Sequence, residues 1–145
     1  MSYHFVAKHR VEFFETDLAG IVHFANFYRY MEQAEHSLFR SLGLIIHGTL
    51  VDGTVFGWPR VSATCSFKSP AYYGDELEIG INIQRLTLRS LTTSYDIQRG
   101  GVLLAVGEMK TAYCVIPVGA KLESAEIPSE YFDRLTSLQQ SSGTE

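Results

Sequence analysis

The chain has 145 residues, of which 46% are hydrophobic, and its formal net charge is −4 at pH 7. This length suits a single domain, predicted over residues 1–138, and a polar tail over residues 139–145 that we expect to be disordered. The acidic balance argues against nucleic acid as a partner, because a surface that follows phosphates would be basic.

The sequence predicts neither a membrane segment nor a set of disulfide bonds. No apolar run is long enough to span a membrane, so membrane insertion is not expected, and the first residues lack the apolar region of a secretory signal. The two cysteines, Cys65 and Cys114, provide neither a disulfide framework nor a paired metal spacing, and both are predicted to be unreactive core residues. We therefore expect a reduced, cytoplasmic protein without a metal site.

The first elements in chain order are a strand over residues 5–14, a loop that contains Asp17, and a helix over about residues 24–42. Asn26 is the predicted N-cap of this helix, and Gly43 is the predicted stop. An irregular connection is expected over residues 45–59. Period-two alternation then predicts four strands, at about 61–68, 76–84, 90–98 and 102–116, and a short helix at 129–138 closes the chain.

This order predicts an α+β domain in which one long amphipathic helix packs against a five-stranded antiparallel sheet. Gly100 and Gly101 suit a tight hairpin between the last two strands. One helix of about five turns covers little of such a sheet, and the sheet has open edges. The pattern therefore predicts at least a homodimer.

Asp17 is the residue whose position suggests chemistry. A helix N-terminus offers unpaired backbone N–H groups, and a carboxylate beside them could activate water against an acyl group. Gly20 would let the chain bend and bring Asp17 near those groups. The alternative is that Asp17 only occupies a turn or a helix start, as aspartate often does. Serine-hydrolase, zinc-hydrolase, phosphate-loop and dinucleotide fingerprints do not occur in the chain.

Two segments carry a family resemblance. The run from Thr16 to Val22, followed by Phe24-Ala25-Asn26-Phe27, resembles the D-T-D-x-x-G-V-V-Y-x-x-N-Y motif of hotdog-fold acyl-CoA thioesterases, most closely the 4-hydroxybenzoyl-CoA thioesterase family. The run from Lys68 to Leu77 resembles the family's strand, P-A-x-Y-x-D turn and strand. The resemblance covers about residues 11–116, and Glu15 departs from it by replacing the first aspartate.

The resemblance implies a hotdog fold, in which a five-stranded antiparallel sheet wraps a long central helix. It also implies a homodimer or a dimer-of-dimers tetramer, with the active sites at subunit interfaces. Asp17 would be the catalytic nucleophile or general base, and the Phe24 backbone N–H would receive the oxyanion. No cofactor is implied beyond the coenzyme A of the acyl-CoA substrate.

Further residues are predicted to surround the substrate. Gly20, Asn26 and Phe27 belong to the motif. Many relatives read Tyr-His where this chain reads His23-Phe24, so a histidine role in those relatives does not map cleanly onto His23. His23 is a candidate pocket residue, and the alternative is a packed or hydrogen-bonded histidine. Hotdog thioesterases of another type carry a catalytic carboxylate on the long helix. Glu32 and Glu35 lie there, so they form a minor alternative to Asp17.

Arg85, Arg89 and Lys68 are the predicted contacts for the phosphates of coenzyme A, although a solvated charge at a strand end is the more common role for any single one of them. Trp58 and other aromatic residues near the helix start mildly favour an aromatic acyl group. The leading hypothesis is an acyl-CoA thioesterase. The alternatives are an acyl-thioester-binding module without turnover and a hotdog hydratase of enoyl thioesters.

Overall fold

A computed structural model describes residues 2–141 of the chain. Its strands, numbered along the chain, are Phe5–Arg10 (β1), Gly48–Thr49 (β2), Val55–Gly57 (β3), Arg60–Phe67 (β4), Glu76–Leu86 (β5), Ser90–Arg99 (β6), Val102–Ala112 (β7), Cys114–Ile116 (β8) and Glu123–Ser124 (β9). The helices are Ala25–Ser41 (α1) and Ser129–Gln140 (α2). The order β1-β5-β6-β7-β4 defines a five-stranded sheet in which every pairing is antiparallel.

Helix α1 buries one face against this sheet, where it contacts β1, β4 and β5. Its buried side chains recur at helical spacing and include Phe27, Tyr30, Met31, Ala34 and Leu38. Gly107 on β7 lets the helix come close, because a Cβ there would collide with the sulfur of Met31. The predicted α+β architecture is confirmed.

A second, smaller sheet has the order β2-β3-β8-β9. It corrects two predictions. The connection over residues 45–59 contains β2 and β3, and the strand predicted over 102–116 is divided into β7 and β8 at Tyr113, whose N–H donates to the Arg89 carbonyl. Strands of two or three residues are too short to produce a recognisable alternation, so the sequence pattern missed them.

The ends of two elements also differ from the predictions. Strand β1 stops at Arg10, and Phe13–Glu15 form a single 3-10 turn, because the Glu15 carboxylate accepts the Glu12 N–H at 2.8 Å and folds the chain back. Helix α2 continues to Gln140, two residues into the segment predicted to be a disordered tail. Residues 142–145 lie outside the described part of the chain.

Strand β4 is an edge of the five-stranded sheet and leaves most of its side chains exposed. Val61 and Phe67 are 59% and 48% exposed, which is high for large apolar residues on a strand. Such an edge offers unpaired backbone groups to another strand.

Within residues 2–141, neither helix combines the length and apolar character that a membrane crossing requires.

Candidate active site

Asp17 lies at the start of a tight loop between the 3-10 turn and α1. Its N–H donates to the Ile21 carbonyl at 2.9 Å, and its carbonyl accepts the Gly20 N–H at 3.0 Å. Its carboxylate oxygen Oδ1 accepts the Ala19 N–H at 2.9 Å. These bonds fix both the backbone and the side chain of Asp17, which is exposed on the surface of the protomer.

Gly20 allows this loop to close. Its φ is +80°, and a Cβ built there would meet no atom within 4 Å. We therefore expect Gly20→Ala to lower the free energy of unfolding by about 1 kcal/mol through backbone strain alone. Gly20→Asn should cost less, because asparagine tolerates the left-handed region. Urea denaturation of the two variants measures the difference, and an equal cost for both would contradict this explanation.

The start of α1 differs from the prediction. Phe24 is the N-cap and the helix begins at Ala25, so the prediction that Asn26 caps the helix is wrong. Asn26 is buried inside the first turn, and its side-chain amide donates to the Glu15 carbonyl at 2.7 Å. The cap acceptor is His23, whose Nδ1 accepts the Ala25 N–H at 3.2 Å.

One N–H at this helix start is free. The Ala25 and Asn26 N–H groups donate to Nδ1 and to the carbonyl of His23, and the Phe27 N–H donates to the Phe24 carbonyl. The Phe24 N–H has no acceptor among residues 2–141. Within the described part of the chain, the donor that the family resemblance assigned to an oxyanion therefore has no protein acceptor.

Asp17 and Phe24 line the same cavity, which has a volume of about 500 Å³. Phe27 and Lys68 also line it, so four of the predicted site residues meet there. The rest of its wall consists of Ile21, Val22, Phe67, Ser69 and Pro70. This wall is mostly apolar, and it surrounds one carboxylate and one ammonium group.

His23 lies next to this wall. Its ring stacks on the Phe24 ring, with 4.8 Å between centroids, while its Nδ1 is occupied as the helix cap. The structure thus gives His23 a role in holding the helix start. Its contact with substrate stays a prediction.

Arg85 and Arg89 lie elsewhere, around the β5–β6 turn. Both are exposed, and neither belongs to the described wall of the Asp17 cavity. Arg89 donates to the carbonyl and the hydroxyl of Ser124, at 3.1 and 3.2 Å. Within one protomer, only Lys68 of the predicted phosphate contacts accompanies Asp17.

Trp58 lines a second cavity, of about 600 Å³, which also includes Phe56, Pro59, Arg60 and Glu35. Trp58 is 7% exposed and Glu35 is 2% exposed. Within the described part of the chain, the indole Nε1 and the carboxylate Oε1 of Glu35 have no hydrogen-bond partner. The structure therefore separates Trp58 from Asp17, which line different cavities, and both unpaired atoms are buried.

Arg60 contacts both Glu32 and Glu35, the two carboxylates of α1 that were the minor alternative to Asp17. Its guanidinium lies 3.2 Å from Glu32 and donates to Glu35 Oε2 at 3.2 Å, while Oε1 lies 3.0 Å away without hydrogen-bond geometry. Burial raises the pKa of Glu35, although the Arg60 charge opposes that rise. Glu35 is thus a buried, paired carboxylate at the second cavity and does not reach the Asp17 loop within one protomer.

Glu15 is a site residue that the sequence reasoning missed, because it was considered only as a departure from the family motif. It is 6% exposed, and its Oε1 accepts the Tyr30 hydroxyl at 3.0 Å and lies 2.9 Å from His9 Nε2. Burial raises its pKa, but the Glu12 N–H, His9 and Tyr30 outweigh burial, so the pKa is held below its usual range.

Of the two cysteines, Cys114 lines the second cavity, and neither lines the Asp17 cavity. Cys114 is buried, Cys65 is half-buried, and burial raises the pKa of the Cys65 thiol, which disfavours the reactive thiolate. Across residues 2–141, no three His, Cys, Asp or Glu side chains lie close enough to hold a metal ion together.

The chain is similar in sequence and in fold to known thioesterases. The family described as "Thioesterase superfamily" matches residues 19–106. A putative esterase of Aquifex aeolicus (strain VF5) is 31% identical, over 90% of this chain and 97% of that protein. The 4-hydroxybenzoyl-CoA thioesterase of Pseudomonas sp. (strain CBS-3) is 30% identical, over 87% and 93%. A solved gentisyl-coenzyme A thioesterase has a TM-score of 0.75 at 30% identity, over 88% of this chain and 98% of its own.

Proposed function

The chain belongs to the thioesterase superfamily and is a thioester hydrolase with the hotdog fold, as its motifs predicted, and we propose that it cleaves acyl-CoA with Asp17 as the catalytic carboxylate. The observation that carries this proposal is that Asp17 and Phe24 line one cavity and that the Phe24 N–H has no acceptor among residues 2–141. Acyl transfer needs these two parts, a base or nucleophile and an oxyanion donor.

The reaction proceeds at the thioester carbonyl. Its oxygen accepts the Phe24 N–H, which stabilises the negative charge that develops there. Asp17 either takes a proton from the attacking water or attacks the carbonyl carbon itself, forming an anhydride that water then hydrolyses. In both cases the carbon–sulfur bond breaks, coenzyme A leaves as the thiol, and the acyl group leaves as a carboxylic acid. The reaction calls for no cofactor beyond the coenzyme A of the substrate.

We infer that the working unit is a homodimer formed through β4, because its outer edge is free and its apolar side chains are exposed. In an antiparallel pair about a two-fold axis, the Arg60 end of one β4 lies beside the Phe67 end of the other. The Asp17 cavity, which Phe67 lines, then adjoins the partner's second cavity, which Arg60 and Trp58 line. Each complete site would combine one cavity from each subunit. A dimer-of-dimers tetramer would contain the same pairing.

This arrangement supports an aromatic acyl group. The second cavity has a volume of about 600 Å³, and Phe56 and Trp58 give it flat apolar walls. The similar proteins named for 4-hydroxybenzoyl-CoA and gentisyl-coenzyme A agree with such a substrate.

Lys68 is the best-placed cation for the coenzyme A phosphates, because it alone of the predicted contacts lines the Asp17 cavity. We expect Lys68→Met to raise KM for acyl-CoA about fivefold and to leave kcat nearly unchanged, as loss of a charge contact used only for binding should. An acyl-N-acetylcysteamine thioester, which has no phosphates, should show no change in KM. Arg89→Met serves as the comparison, since Ser124 already occupies that guanidinium.

The function is tested by thiol release from a panel of aromatic, short, branched and long acyl-CoAs, combined with equilibrium binding of the same compounds. We expect catalytic turnover, with the highest kcat/KM for aromatic acyl groups. Binding without thiol release at any enzyme concentration would overturn hydrolysis in favour of a binding module. Addition of water to crotonyl-CoA without thiol release would favour a hydratase.

A further inference from the structure

Glu15 is a buried carboxylate that the proposed chemistry does not use. It lies two residues before Asp17 and joins three elements. Its side chain contacts His9 on β1 and Tyr30 in α1, and it closes its own 3-10 turn through the Glu12 N–H. The His9 ring also packs against the Tyr30 ring, with centroids 4.5 Å apart. The carboxylate thus anchors the turn to the sheet and to the helix at once.

The backbone carbonyl of Glu15 contacts the start of α1, where the proposed oxyanion donor lies. Its carbonyl accepts the His23 N–H at 2.9 Å and the Asn26 side-chain amide at 2.7 Å. His23 immediately precedes Phe24, whose N–H is free. The residue that anchors the approach to Asp17 therefore also holds the peptide next to the oxyanion donor.

Resting on the proposed function, we propose that Glu15 is the positioning residue that sets the distance between the Asp17 carboxylate and the Phe24 N–H. Glu15 acts through hydrogen bonds and does not touch substrate. Residues 17–20 are exposed, so the loop is held through its two ends, by Glu15 on one side and on the other by Val22, which is buried and donates its N–H to the Ala71 carbonyl at 2.8 Å. A shift of about 1 Å between a catalytic group and its target can cost about 10²-fold in rate.

The key pair of variants is Glu15→Ala and Glu15→Gln. Alanine leaves the Tyr30 hydroxyl, the Glu12 N–H and His9 without their shared acceptor, so we expect kcat to fall about 30- to 100-fold with KM changed less than about threefold. Glutamine can still accept from Tyr30 and Glu12 through its oxygen and donate to His9 through its amide. It should keep kcat within about threefold of wild type.

Ile97→Ala is the control for lost stability, because Ile97 is fully buried in the core on β6 and is not one of the residues that hydrogen-bond the Glu15 side chain. At a temperature where it and Glu15→Ala are equally folded, it should retain wild-type kcat. Tyr30→Phe, which removes one donor and preserves the ring, should lower kcat by about three- to tenfold, and it tests the proposal even if Glu15→Ala does not fold.

Three results would overturn the positioning role. One is a folded Glu15→Ala with wild-type kcat, another is an equal loss in Ile97→Ala, and the third is a loss in Glu15→Gln as large as that in Glu15→Ala. Each leaves wild-type hydrolysis intact. Failure of the proposed function would appear differently, as an absence of thiol release from the wild-type protein itself.

Discussion

Asp17→Asn should lower kcat for acyl-CoA hydrolysis by about 10²- to 10⁴-fold, the range expected when a catalytic carboxylate is removed. The amide can neither accept a proton from water at neutral pH nor form an acyl anhydride. Its side-chain oxygen can still accept the Ala19 N–H that bonds Oδ1 of the aspartate, so the loop should keep its shape. Thiol release measures kcat, and urea denaturation compares the stability of the two proteins.

The binding of substrate provides the control for this variant. The asparagine side chain occupies nearly the same volume as the aspartate that it replaces, so the affinity for a non-hydrolysed acyl-CoA thioether should remain within a few-fold of wild type. An Asp17→Asn protein that is folded, binds the thioether and hydrolyses acyl-CoA at the wild-type rate would remove Asp17 from the mechanism.

Ala63→Pro should convert the proposed dimer to a folded monomer and lower kcat/KM by at least about 10²-fold, because each site loses the cavity that the partner supplies. Just after the end of β4, the Lys68 N–H donates to the carbonyl of Leu104 on β7 and so points toward β7. Since N–H directions alternate along a strand, the Ala63 N–H points to the free edge. Proline there blocks pairing with a second β4 and spares the bonds to β7.

Lys8→Pro is the matched control at the opposite edge of the sheet. The Val11 N–H donates to the Asp75 carbonyl, so by the same alternation the Lys8 N–H points away from β5. This variant should keep both the oligomeric state and the activity. Sedimentation velocity gives the mass of each protein. Loss of the dimer in both variants, or an active Ala63→Pro monomer, would contradict assembly through β4.

The regular elements were predictable because their patterns are long. Helix α1 shows helical spacing of buried residues over 17 residues, and β5, β6 and β7 each extend over ten or eleven. Many repeats of one period outweigh local exceptions. The Phe13 and Phe14 pair shows the opposite case. Both side chains are aromatic and more than 75% exposed, so they extended the apparent strand past its true end at Arg10.

Part of the site was predictable because the motif is local: it lies within one loop and the helix start that follows. Asp17 and Phe24 are therefore close in sequence, and they line one cavity. The burial of Glu15 and its contacts were not predictable, because a glutamate in a sequence gives no sign that His9, Glu12 and Tyr30 all contact its carboxylate. Trp58 was grouped with the aromatic residues near Asp17, but its position depends on the second sheet, whose short strands have no detectable pattern.

In the proposed mechanism, the thioester carbonyl of the substrate accepts a hydrogen bond from the Phe24 N–H beside Asp17. This donor belongs to the backbone, so proline is the substitution that would remove it, and Phe24→Pro would also remove the aromatic ring of a residue that lines the cavity. Isotope-edited infrared spectroscopy of carbonyl-labelled benzoyl-CoA, bound to the slow Asp17→Asn protein, measures the carbonyl stretch directly. We expect the band to move to lower wavenumber than in free benzoyl-CoA, because the oxygen accepts a hydrogen bond from a preorganised donor. An unshifted band in the saturated complex would contradict it.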